Sequence, residues 1–135
     1  MLYASESIPV ILIVEDEVPT RHLIRRALTR AGYATLEAAD TRRAEAVAGA
    51  YPGKLQLAIL DVVTSSGSGL DFANQLGIER PGTKVLYISS IADSIAAESI
   101  RRGQPSAMLM KPFASRQLLN RVQDLIGANP LAHSA

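Results

Sequence analysis

The sequence has no cysteine and no tryptophan, and only 4% of its residues are aromatic. Without cysteine there is neither a disulfide framework nor a thiolate metal site, which fits a reducing compartment, so a cytoplasmic location is expected. So few aromatics give no series of stacking platforms for single-stranded nucleic acid. Neither sign of charge is in excess. Fourteen Lys and Arg face 13 Asp and Glu, a formal net charge of +1. There is thus no electrostatic case for nucleic acid or a membrane surface, and neither is expected as a partner. No apolar run approaches the ~18 residues of a membrane span. The opening MLYASESIP lacks the basic start and long apolar stretch of a signal peptide.

What is present is a globular composition, 47% apolar and 20% charged, over 135 residues. That length suits one domain, large enough to bury roughly two-thirds of its surface. Apolar runs alternate with amphipathic stretches. The strand candidates are VILIV (10–14), TLEA (35–38), LQLAIL (55–60), KVLYIS (84–89) and AMLM (107–110). The first, third and fourth are almost continuously apolar, as strands covered on both faces are. Helices are predicted over 18–31, 41–50, 69–77, 92–102 and 115–126. Ile24, Ala27, Leu28 and Ala31 share one face of the first, and Leu118, Val122, Leu125 and Ile126 one face of the last. Gly32, Gly77, Gly103 and Gly127 act as stop signals. Five strand–helix units joined by short loops imply a parallel sheet with helices on both faces, a doubly wound α/β domain. The domain is expected over residues 8–127, with 1–7 and 128–135 as loose termini.

In such a sheet, ligands bind at the carboxyl ends of the strands. Glu15, Asp16 and Glu17 follow the first strand, Asp61 the third, Ser89 and Ser90 the fourth, and Lys111 the fifth. Alone, Asp61 reads equally well as a turn or helix cap. If Glu15, Asp16 and Asp61 converge, they repel. Two such charges ~4 Å apart cost roughly 4 kcal/mol at an effective dielectric of ~20. The group must hold protons or bind a cation, and oxygen donors without His or Cys suit Mg²⁺. Lys111 and Ser89 offer an ammonium and a hydroxyl to a phosphoryl group. An aspartate is itself a competent nucleophile toward phosphorus.

From about Ile8 to Gly127 the chain resembles the response-regulator receiver domains of two-component signalling, the CheY-like family. The resemblance rests on Glu15-Asp16 after the first strand, and on Asp61 with Gly69-Leu70 eight and nine residues on. Ser89 and Lys111-Pro112-Phe113 complete it. It implies a flavodoxin-like (βα)5 three-layer sandwich with a five-stranded parallel sheet. It implies that Asp61 accepts a phosphoryl group from a histidine kinase or a histidine phosphotransfer domain. By the same resemblance Asp16 and Asp61 ligate Mg²⁺ directly, Glu15 acts through water, and the Val63 backbone carbonyl completes the protein ligands. Ser89 and Lys111 bind phosphoryl oxygens, and the Lys111-Pro112 bond is cis. The domain then signals to a downstream protein, as a monomer or weak homodimer, catalytic only in its own phosphorylation and dephosphorylation. No output domain is expected. It acts alone, as a relay shuttle, or as a receiver cut from a hybrid kinase.

The chain departs from the family pattern at several positions. Ser65 and Ser68 replace a common Pro and Asp, and Ser90 a small residue beside the switch hydroxyl. Met108 stands where the family has Tyr or Phe, so the resemblance does not extend to the Ser89–aromatic coupling. Apolar Val63 and Ile91 near the acyl phosphate lead to an expectation of slow self-dephosphorylation. Two rival readings follow. One is a phosphate-independent interaction module, motivated by Met108 and Ser90. The other is an aspartyl-phosphate hydrolase, which Asp61-Val62-Val63 argues against by lacking a second Asp. Gly67-Ser68-Gly69 reads as a flexible loop without a phosphate-binding pattern. Arg21, His22, Arg25, Arg26 and Arg30 read as a solvated helix face or a docking face for the phosphoryl donor. Glu17 reads as a charge favouring the helix start.

Overall fold

The computed structural model describes residues 8–90 and 108–131. The predicted helix over 92–102, Ile91 and His133 lie outside the described residues. The run VILIV forms β1 (Val10–Val14), buried from Ile11 onward, and it sits between two neighbours. β2 (Ala34–Ala38) lies on one side and β3 (Leu57–Asp61) on the other. β6 (Lys84–Ser89) follows β3, and β7 (Met108–Met110) closes the edge. All pairings in this sheet are parallel, in the order β2-β1-β3-β6-β7. The order reverses beside β1, which leaves a crevice at the carboxyl ends of β1 and β3.

Alternate residues of the central strands feed two cores, as the period of two requires. Ile11, Ile13, Ile59 and Ile88 pack with Ile24 and Leu28 of α1 (Val18–Arg30) and Leu118 and Val122 of α4 (Ser115–Ile126). Leu12, Val14, Ala58 and Leu60 pack with Ala44 and Ala48 of α2 (Thr41–Ala50) and Phe72 and Leu76 of α3 (Gly69–Glu79). This is the expected three-layer sandwich. α3 runs two residues past Gly77, because Arg80 rather than a glycine closes it, its amide donating to Leu76 O.

Three local features differ from the sequence reading. Asp61 is the last residue of β3, not the first after it. Residues 63–68 are not a plain loop but a hairpin, β4 (Val63–Thr64) with β5 (Gly67–Ser68). Residues 128–131 fold back onto the domain instead of hanging loose. Tyr33 Oη donates to Asn129 Oδ1 at 3.0 Å, and the Leu131 amide donates to Ala31 O at 3.3 Å. Gly32 (φ +100°) permits this, since a Cβ there would meet Pro130 and Leu131.

Candidate functional site

Glu15 follows β1 and is fully buried, its amide donating to Ala38 O at 3.1 Å and its carbonyl accepting from Arg21 Nη1 at 2.8 Å. The side chain turns back on its own loop, where Oε2 accepts from the Glu17 amide at 2.9 Å. Oε1 lies 2.9 Å from Lys111 Nζ but outside hydrogen-bonding angles, so it is a buried acceptor with an ion-pair contact and no hydrogen bond. Asp16 is exposed, and Asp61 is buried at the neighbouring strand end. One carboxylate oxygen from each of Glu15, Asp16 and Asp61 lies within 4.8 Å of the other two.

Lys111 follows β7, its amide donating to Ser89 O at 2.7 Å, and the Lys111–Pro112 bond is cis. Its ammonium reaches into the acidic group, 3.0 Å from Glu17 Oε1 and 3.3 Å from Asp61 Oδ2. Glu17 thus serves chiefly as a partner of Lys111, and no side-chain bond from it caps α1. That pairing joins residues 94 positions apart and had no local signal in the sequence.

The protonation states follow from burial and from this pairing. Burial is the main cause that raises Glu15, from 4.5 to about 7, against the Glu17 amide and Lys111, which stabilise its anion. Burial likewise raises Asp61, opposed by Lys111 and by the Val63 amide. Lys111 is raised because its carboxylate partners outweigh the burial that would lower it. Glu17 is lowered by the hydrogen bond from Lys111.

Asp16, Asp61, Val63, Ser90 and Lys111 line an open cleft of about 650 Å³, floored by Pro112 and Phe113. Ser89 is fully buried, its hydroxyl donating to Ser90 O at 3.1 Å. Among the described residues Ser90, not Ser89, lines the cleft. Met108 lies apart, buried against Val62, Leu70, Tyr87 and Met110. Tyr87 is the register partner of Met108 on the neighbouring strand. The basic residues of α1 divide. Arg21 and Arg25 pair with Glu37 at 3.6 and 3.5 Å, while His22, Arg26 and Arg30 line a groove between α1 and α4 with Leu119 and Leu131.

The donor set fits a hard divalent cation. All the clustered groups are carboxylates, one buried oxygen lacks a hydrogen bond, and among the described residues no softer donor joins them. Gly69 keeps the phosphoacceptor candidate in place at the backbone level. Its Cα packs against the Asp61 carbonyl, where a Cβ would overlap, and its amide donates to Val62 O at 2.8 Å.

The family profile of the response regulator receiver domain matches residues 11–123. The phosphate regulon transcriptional regulatory protein PhoB of Pseudomonas aeruginosa is 33% identical over 118 residues, covering 86% of this chain and 51% of that protein. The sensor kinase CckA of Brucella abortus is 28% identical over 116 residues, 86% of this chain and 12% of the kinase. The chain spans about half the length of the transcriptional regulators it matches, and a small part of the kinase. Among solved structures, the receiver domain of NtrX from Brucella abortus superposes with a TM-score of 0.73 at 29% identity, covering 86% of this chain and 97% of that one. A response regulator receiver domain protein from Clostridium thermocellum gives 0.78 at 19% identity, covering 88% and 94%, and attests the fold. No helix among the described residues is long and apolar enough to cross a membrane.

Proposed function

The chain belongs to the response regulator receiver domain family of two-component signalling, and from that premise we propose that Asp61 takes a phosphoryl group from a phosphohistidine. One Asp61 oxygen attacks phosphorus while the bond to the imidazole nitrogen breaks. The imidazole keeps the electron pair and takes up a proton from water, and an acyl phosphate is left on Asp61. Attack requires the ionised carboxylate. Burial works against ionisation, and the ammonium of Lys111, 3.3 Å away, works for it. Asp16 and Asp61 would hold Mg²⁺ directly, Glu15 through water, with the Val63 carbonyl completing the set. When bound, the ion offsets charge on the transferring oxygens. Lys111 can exchange its carboxylate partners for a phosphoryl oxygen. Ser90 lines the cleft and is placed to limit what reaches Asp61, and Ser89 needs a rotation to present its hydroxyl.

The observation that carries this reading is the convergence of two further carboxylates, Glu15 and Asp16, and one ammonium on Asp61 at the open carboxyl end of β3. A histidine kinase or histidine phosphotransfer domain is the proposed donor, and relatives that include a sensor kinase and a transcriptional regulatory protein support it. The groove beside His22, Arg26 and Arg30 is its proposed docking face.

The test is incubation with acetyl phosphate and Mg²⁺ followed by intact mass, with Asp61→Asn as control. The expected result is one phosphoryl adduct on the natural chain and none on the variant. No adduct together with no beryllofluoride binding overturns the proposal. It would favour a phosphate-independent interaction module, the reading that the buried Met108 supports by removing the aromatic switch. Rapid turnover of many phosphate esters would instead indicate a hydrolase.

A further inference from the structure

The segment that leaves Asp61 is fastened to a different element by two hydroxyl groups. α2 begins at Thr41, and the amides of its first turn have no partners within the helix. Asp40, the residue before the helix, accepts from the Arg43 amide at 2.8 Å. The other two acceptors come from the hairpin. Thr64 Oγ1 accepts from the Thr41 amide at 3.4 Å, and Ser66 Oγ accepts from the Arg42 amide at 3.1 Å. Ser66 Oγ also shares a hydrogen bond with Thr41 Oγ1 at 3.1 Å. Within the hairpin, Thr64 Oγ1 donates to Gly67 O at 2.9 Å, so a hydroxyl's donor and acceptor capacity are both used. Thr64 is buried, whereas Val63 just before it is half exposed at the cleft. A serine-rich hairpin with no apolar core of its own owes its position to these bonds.

We infer that Thr64 and Ser66 are positioning residues for the metal site. They latch the hairpin to the first turn of α2, and so hold the Val63 carbonyl in place for the cation. The inference rests on the proposed reading of that carbonyl as a ligand. Its consequence reaches further than the site. Binding at the cleft and order in the first turn of α2 are then linked, and linkage is reciprocal. A partner that grips the start of α2 would tighten the metal site, and the metal would quieten the start of α2.

The test is a Mg²⁺ titration by calorimetry on the natural chain, Ser66→Ala, Ser66→Thr and Thr64→Val, with thermal midpoints measured alongside. Amide hydrogen exchange of the natural chain is followed with and without Mg²⁺. Ser66 is exposed, so its substitution leaves the core untouched. Ser66→Ala is expected to bind Mg²⁺ roughly three- to tenfold more weakly, the scale of one ordinary hydrogen bond. Ser66→Thr, which keeps the hydroxyl, is expected to restore the natural affinity, and Thr64→Val to weaken it further. Mg²⁺ is expected to slow exchange of the Thr41 and Arg42 amides and to leave that of Leu118 in α4 unchanged. Natural-chain binding of Mg²⁺ with an unaffected Ser66→Ala, or with Thr41 and Arg42 amides indifferent to the ion, overturns the latch alone. A natural chain that binds no Mg²⁺ overturns the site reading and the latch together.

Discussion

Lys111 Nζ lies 2.9 Å from Glu15 Oε1, a fully buried carboxylate oxygen that has no hydrogen bond. With its contacts to Glu17 and Asp61, the ammonium occupies the centre of the acidic group and serves as its counter-ion. A divalent cation entering this cluster competes with Lys111 for the same oxygens. Lys111→Met is therefore expected to bind Mg²⁺ about tenfold more tightly at alkaline pH, since one unit of positive charge is withdrawn from a partly buried site. The alkaline condition matters, because without Lys111 the carboxylates take up protons more readily. Adduct formation from acetyl phosphate should nevertheless fall, since the ammonium that meets the phosphoryl oxygens is gone. Calorimetric titration above pH 8 checks this, and weaker Mg²⁺ binding by the variant would refute the competition.

The same cluster sets a pH dependence. Glu15 is raised from 4.5 to about 7, and Asp61 is raised as well, in both cases chiefly by burial. The folded chain thus holds protons that the unfolded chain gives up, and stability falls as pH rises wherever that is so. The contribution is complete below about pH 4.5 and is lost as pH climbs toward about 7. In chelator, the thermal midpoint should decline across this window, and Glu15→Gln should flatten the decline. Mg²⁺ displaces the protons, so the rise in midpoint that it causes should grow with pH over the same range. A midpoint in chelator that climbs from pH 5 to pH 7 would count against this account.

Much of this was legible in the sequence because burial writes itself into apolar runs. VILIV and KVLYIS are strands at the expected residues, since both faces of the central strands are covered. The clustering of Glu15, Asp16 and Asp61 followed from one rule about strand ends. Features made by polar groups meeting across long separations were not legible. TSSGSG has neither alternation nor an apolar face, and its own hydroxyls hold the hairpin to the first turn of α2, some 23 to 25 positions earlier. Glu17 met Lys111, and Asn129 met Tyr33, through the fold alone. Small and polar residues around Asn129 read as a tail, because no apolar period marks a segment that docks by single contacts.

Gly69 illustrates a requirement that is purely steric. Its position is buried, and a Cβ there would overlap the Asp61 carbonyl oxygen and crowd Val62. The atoms met are backbone, so relief requires moving the segment that carries Asp61. Gly69→Ala should cost at least about 2 kcal/mol of stability, the range of overpacking in a tight core. It should also slow phosphoryl transfer beyond what the lost stability explains. A melting curve and adduct formation measured well below the midpoint separate the two effects. A variant equal to the natural chain in both would show that the contact is slack.

Arg80 supplies the contrasting case, a side chain important to the fold and remote from the chemistry. Its guanidinium donates to Gly53 O at 2.7 Å, Ala48 O at 2.9 Å and Tyr51 O at 2.6 Å, tying the end of α3 to the end of α2. These carbonyls belong to the last turn of α2 and the segment after it, which have no helical partners of their own. Charged hydrogen bonds are stronger than neutral ones, and losing all three should destabilise Arg80→Ala by about 2 kcal/mol. Arg80→Lys should recover little, because a point ammonium cannot span acceptors that a planar fork reaches together. Arg80 precedes β6, at the amino ends of the strands and so at the end of the sheet opposite Asp61, and phosphoryl adduct formation at low temperature should match the natural chain. A loss of adduct at a temperature where Arg80→Ala is fully folded would mean that the two ends of the sheet are coupled, contrary to this reading.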